Sequence, residues 1–194
     1  MDILDNLFGG PARVKLLKLF MLNPKLILPT KEVSKRSKVS PEIARRELAL
    51  LKHIGFVRQR ATLEHGRKTK GWQLDESFPI LRQLEMFLMS DRPLTGTRLA
   101  RRFKNVGRIK LIISAGVFLG REDSRADLLI VGDRFKSGRI DTIVKKIEAE
   151  TGRELKYAVC ETADFNYRYG AYDKFIRDIL DYPHEKVINR LGLE

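Results

Sequence analysis

Ser40-Pro41-Glu42-Ile43-Ala44-Arg45-Arg46-Glu47-Leu48 reads as the opening of a helix. A serine that can accept from a free amide, a proline at the first helical position and an acid in the first turn are three independent start signals. Ala44, Leu48 and Leu51 then recur at i, i+4 and i+7 and mark one buried face, while Glu42, Arg45, Arg46 and Ala49 point elsewhere. The spacing predicts a helix to about Ile54, where Gly55 supplies a left-handed stop.

Working outward, Pro11–Leu22 has apolar residues at helical spacing, with Arg13, Lys15 and Lys18 as polar positions. Pro24 and Pro29 bracket a short extended link, Thr30 is placed to cap a helix over Lys31–Arg36, and Ser37-Lys38-Val39 forms the turn into the Ser40 helix. Downstream, Phe56–Leu63 and Lys70–Leu74 are strand-like, and the tip between them, Glu64–Thr69, is basic and holds a turn glycine. Three helices followed by a basic hairpin is the order of a winged helix-turn-helix. Leu7–Leu17, Ser40–Leu48 and Ile54-Gly55-Phe56-Val57 resemble the small prokaryotic winged-helix regulators over residues 7–75.

Residues 1–75 are therefore expected to form a winged helix-turn-helix DNA-binding domain. Its groove-facing set would be Ser40, Glu42, Ile43, Arg45, Arg46 and Ala49, since a helix with an exposed polar face fits the major groove. Lys31, Lys35 and Lys38 would flank the groove, and Arg67, Lys68 and Lys70 would track the backbone or minor groove. Leu48, Leu51, Trp72 and Leu74 are assigned to the core.

Residues 76–95 read as a helical bridge, with a helix over Ile80–Met89 broken by Asp91-Arg92-Pro93. A basic helix, about Gly96–Asn105, follows with Arg98, Arg101, Arg102 and Lys104. Lys110–Ala115, Ala126–Val131 and Leu155–Cys160 are strand candidates, Ser137–Thr151 is a helix ended by Gly152, and Ala163–Tyr182 is a long C-terminal helix with a bend near Gly170, stopped by Pro183. The expected class is α+β: an N-terminal winged helix-turn-helix and a small C-terminal α/β domain over residues 96–194.

The stretch Ile112–Asp133 resembles the core of the minimal polymerase-β-type nucleotidyltransferases, over about residues 96–182. That family places Gly-Ser after one strand and Asp-x-Asp on the next, because two carboxylates at i and i+2 share a strand face and can hold Mg²⁺. Here Gly116 is followed by Val117, Arg125 stands where the first Asp would be, Asp127 matches the second, and the intervening loop is short. Glu161, at the end of its strand, is the candidate for a third carboxylate. The resemblance therefore implies a degenerate domain with no catalytic residues and no metal. Asp127 would instead bond loop amides or pair with Arg125 or Arg121.

The charge has an uneven address. The 194 residues carry a net charge of +13. Residues 1–75 hold 16 Lys/Arg against 7 acids, 76–110 hold 8 against 3, and 111–194 hold 14 against 15, so the surplus sits in the first two segments. Between residues 31 and 70 there are 12 basic and 4 acidic residues, which suits a polyanionic partner. The apolar runs are too short to span a bilayer, and Met1-Asp2-Ile3-Leu4-Asp5 is acidic where a signal peptide would be basic. A lone Cys160 excludes an internal disulfide framework and a multi-cysteine zinc site, and a reduced cytoplasmic setting is expected. His53, His65 and His184 are far apart and read as surface residues, and no Walker-type loop is present.

Taken together, a DNA-binding transcriptional regulator is expected, homodimeric on double-stranded DNA and needing no cofactor. Its second domain would serve dimerisation, or binding of a protein or nucleotide ligand. The C-terminal helix, with Phe165, Tyr169, Tyr172, Phe175, Ile176, Ile179 and Leu180, would pack on the sheet and on another protomer. The alternative is a nucleotidyltransferase or antitoxin-like module acting on a protein or RNA partner.

Overall fold

The computed structural model describes residues 3–64, 66–90, 96–121 and 124–193. Met1-Asp2, the hairpin residue His65, the expected break Asp91-Arg92-Pro93 and Glu122-Asp123 lie outside the described residues. The chain is mixed α and β, and it divides into two compact units: residues 1–91 with 145–154, and residues 92–144 with 155–194.

The first unit begins with α1 (Ile3–Leu7), α2 (Pro11–Met21), β1 (Leu28–Pro29), α3 (Thr30–Ser37) and α4 (Pro41–His53). It continues with β2 (Val57–Glu64), β3 (Arg67–Leu74) and α5 (Leu81–Ser90). Leu16, Phe20, Val33, Ala44, Leu48, Leu51 and Phe56 are removed from solvent and form its core. The three strands make an antiparallel sheet in the order β1-β3-β2.

Two expectations change here. Thr30 does not cap α3: Pro29 holds that position, and the Thr30 hydroxyl accepts from Trp72 Nε1 at 2.9 Å, tying helix to sheet. β3 begins at Arg67 rather than Lys70, because Glu64 pairs with Arg67 and leaves only residues 65 and 66 between the strands. Gly66, at φ 79°, takes the left-handed conformation that so short a connection needs.

Residues 145–154 cluster with this unit, although the sequence places all of 96–194 in one module. They carry the end of α7 (Arg139–Thr151). Gly152 sits at φ 77°, where a Cβ would come within 2.7 Å of the Lys18 backbone, and Asn23 Nδ2 donates to its carbonyl at 2.8 Å.

The second unit contains α6 (Gly96–Arg102), β4 (Arg108–Ser114), β5 (Leu128–Asp133), β6 (Tyr157–Glu161), α8 (Thr162–Gly170), α9 (Lys174–Leu180) and β7 (Glu185–Asn189). The sheet order is β6-β5-β4-β7, with β5 and β6 parallel and the other pairs antiparallel. Leu111 and Ile113 face the same side as their partners Val131 and Leu129, and this side packs on Phe165, Ile176 and Ile179. Ile112 and Ile130, paired on the opposite side, are equally buried, so both faces are covered.

The single C-terminal helix is corrected to two. Tyr172 takes φ 55°, and the Asp173 carboxylate accepts from the Ile176 amide at 3.1 Å, opening α9. The strand after Pro183 was not expected. Glu185-Lys186-Val187-Ile188-Asn189 is a half-exposed edge strand held mainly by its ladder to β4. Among the described residues, no helix is long and apolar enough to cross a membrane.

Gly71 is the tightest point of the first sheet that a side chain would disturb. A Cβ there would meet Ile27 Cγ2 at 2.6 Å and Thr62 Cγ2 at 3.1 Å. Gly71→Val is expected to destabilise the protein by about 1–3 kcal/mol, the usual cost of overpacking, measured by urea unfolding with an unchanged m-value.

Candidate nucleic-acid interface

The rotation of α4 about its own axis is set from inside. Ala44, Glu47, Leu48 and Leu51 are buried, and the Glu47 carboxylate accepts from Arg13 Nε on α2 at 2.8 Å. A charge on the buried face needs such a partner. The start of the helix is set by Lys38, left-handed at φ 54°, and by the Ser40 hydroxyl, which accepts from the Ile43 amide at 3.4 Å. Gly55, at φ 80°, ends it, and the Phe56 amide closes back on Leu51 O at 2.9 Å.

With that face turned inward, Ser40, Glu42, Ile43, Arg45, Arg46 and Ala49 are all exposed. Arg46 is 77% exposed and only 3.8 Å from Glu47 Oε1, while Arg45 has no carboxylate partner among the described residues. Lys31, Lys35 and Lys38 are exposed along α3 and its end, with Lys35 3.8 Å from Glu32. Lys68 and Lys70 are exposed on β3, opposite Leu63 and Ala61, and Arg67 opens that strand opposite Glu64.

Two acids of α3 and α4 are themselves paired with arginines. Glu32 is taken by Arg36 at 2.9 Å, and Glu47 by Arg13. Sequence reasoning passed over Arg60 and Lys52, both exposed. Lys52 reaches Gln59 Oε1 at 3.4 Å, where helix and hairpin meet. Hairpin parity was the available signal for Arg60: it is paired with Gly71, on the sheet side away from Trp72 and Leu74.

The residues singled out by the nucleotidyltransferase resemblance have a different geometry. Gly116 and Val117 lie in a short 3-10 helix, Gly116–Leu119, directly after β4. Asp127 is 5% exposed and precedes β5. Its Oδ1 accepts from the Val117 amide at 2.9 Å and its Oδ2 from the Lys156 amide at 2.8 Å. Gly116, at φ 52°, leaves no room for a Cβ against Asp127 Oδ1. Arg125 pairs with Asp178 of α9 at 2.8 Å rather than with Asp127.

Glu161 pairs with Gly132, whereas Asp127 lies beyond Leu128 at the other end of β5. At about 3.3 Å per residue the two acids are on the order of 15 Å apart along the sheet, so Glu161 does not join Asp127 as a third carboxylate. Among the described residues no group of three His, Cys, Asp or Glu side chains is placed to share a metal ion. His53 is exposed in the last turn of α4, and His184 Nδ1 lies 2.9 Å from Tyr182 O. Cys160 is buried in β6, and burial, with Asp164 nearby, pushes its thiol pKa up.

Two measurements check this geometry. Asp127→Ala is expected to cost about 2–4 kcal/mol, because two amides lose an ionised acceptor, whereas Arg125→Ala, at an exposed pair, changes stability by less than about 1 kcal/mol; paired denaturation curves separate them. Cys160, with little thiolate at neutral pH, is expected to react with an aromatic disulfide at least a hundredfold more slowly in the folded protein than in guanidinium. Comparison of the chain with protein-family models, curated proteins and solved structures found no match.

Proposed function

We propose that this protein is a DNA-binding transcriptional regulator. Its first unit would act as a winged helix-turn-helix, and its second as a non-catalytic, nucleotidyltransferase-like domain. One observation carries the reading. The α4 face opposite Ala44, Leu48 and Leu51 presents Arg45, Arg46 and Ala49 to solvent, and Glu47, the acid in the middle of the helix, is turned inward onto Arg13. A helix of this kind enters a major groove with its cations leading.

In this mechanism α4 lies in the groove, and Arg45 or Arg46 reaches base edges or phosphate. Lys31, Lys35 and Lys38 contact the flanking backbone. Lys68 and Lys70 extend the contact along the hairpin, with Arg67 at its tip. Each phosphate neutralised releases counterions, so affinity falls with salt by about 0.9 log units per contact per log unit of salt. The non-catalytic reading of the second unit is supported by Asp127, whose two oxygens are each engaged by a backbone amide, and by Arg125 at the place of the paired acid. We propose a homodimer on two half-sites. Exposed Tyr167, Tyr169 and Tyr172 offer apolar surface for it.

The test is a polarisation titration against duplexes selected from random sequence, repeated at several salt concentrations. Binding should weaken steeply with salt. The double variant Arg45→Ala, Arg46→Ala should raise Kd more than about fivefold on the selected duplex, a loss of about 1 kcal/mol or more. Unchanged binding in that variant rejects α4 as the recognition helix.

A further inference from the structure

The second unit holds a groove of about 750 Å³ where the end of α6, the turn after it, the start of β4 and the end of β7 come together. Five cations line it: Arg101, Lys104, Arg108, Lys110 and Arg190. No carboxylate is among its lining residues, and Ile109 and Ile188 contribute apolar wall. The groove opens at the Arg108 end of β4, whereas Gly116 and Asp127 lie beyond its other end, at Ser114.

Local backbone geometry gathers these cations. The β4–β5 register shifts between Ile109 and Leu111, so Lys110 is skipped in the backbone pairing with β5. The Arg190 amide donates to the Lys110 carbonyl at 2.7 Å, and Arg190 Nη1 donates to Ile109 O at 3.3 Å, which brings the two cations side by side. Lys110 Nζ is held 3.2 Å from Asp133. Arg101, Lys104 and Arg108 are exposed and have no carboxylate partner among the described residues. Cations at the end of α6 suit the negative end of that helix, but Arg108 and Lys110 come from β4 and Arg190 from the residue after β7, where no such field explains them.

Like charges converging on one concavity repel, and the walls focus their field outward. The arrangement is stabilised when a compact polyanion enters. The volume is that of a nucleotide-sized site, and the cations come from three separate segments of the chain. We infer that this groove binds the oligophosphate chain of a small molecule, such as a nucleoside triphosphate or inorganic tripolyphosphate. Arginines meet phosphate oxygens in pairs, and lysines act as point charges. This site is independent of the proposed α4 interface.

The experiment is calorimetric titration of the full-length protein, in 150 mM salt without divalent cations, with tripolyphosphate, ATP and adenosine. One tripolyphosphate or ATP per chain is expected, with no heat from adenosine. ATP at least tenfold tighter than tripolyphosphate identifies the nucleotide as the source, and equal affinities identify the phosphate chain alone. Arg101→Glu with Arg108→Glu should weaken binding at least tenfold, with circular dichroism unchanged. If that variant does not fold, Arg101→Gln with Lys104→Gln replaces it, with the same expectation. Lys145→Glu with Lys146→Glu, at exposed positions of α7, should leave binding unchanged. Absence of binding, equal loss in the α7 variant, or a groove variant that loses duplex DNA while no oligophosphate binds would overturn the inference.

Discussion

A carboxylate taken out of water must be met by donors, and each unit is built around one such group. Glu47 and Asp127 are the buried acids among the described residues. Glu47 sits on the inward face of α4 and draws Arg13 from α2. Together with Ala44, Leu48 and Leu51 it leaves α4 one rotation about its axis, and the outward direction of Arg45, Arg46 and Ala49 follows. Asp127 reaches one way to the Val117 amide and the other way to Lys156, joining the segment after β4 to the start of β6. Removing either acid leaves donors aimed at nothing, which costs more than the contact itself.

The same two groups bear on function in opposite senses. In the first unit, internal pairing of Glu32 and Glu47 removes negative charge from a surface rich in lysine and arginine, so the outward side keeps the potential that a polyanion would meet. In the second unit, internal use of Asp127 engages the acid that the resemblance places at a metal site. Gly116 fits the same account, since it makes room for Asp127 Oδ1. Five cations of this unit gather instead at the far end of β4, beside a bulge.

Much of the first unit was legible because its signals are local. Ser40, Pro41 and Glu42 open a helix through contacts within one turn, and Gly55 closes it by its own φ. The buried and exposed faces of α4 follow from helical spacing. The hairpin was under-read because strand pairing, and not composition, carries β3 back to Arg67. Thr30 has the chemistry of a cap, yet Trp72, 42 residues away, takes its hydroxyl. In the second unit, β7 has too few apolar residues to be seen in one dimension, and exists because β4 offers a free edge. Asp173 was a readable cap lost inside a long apolar pattern.

The sequence by itself determined the start and stop of α4, its inward stripe, the uneven placement of charge and the presence of Arg125 two residues before Asp127. Each of these depends on residue identity and short spacing. Only the tertiary structure decided which donors meet Glu47 and Asp127, that Glu161 stands at the opposite end of the sheet from Asp127, that residues 145–154 cluster with the first unit, and that five cations from three segments share one groove. These are long-range pairings, set by register, bulges and burial. No local propensity encodes them, because each partner becomes specific only once the other has been brought beside it.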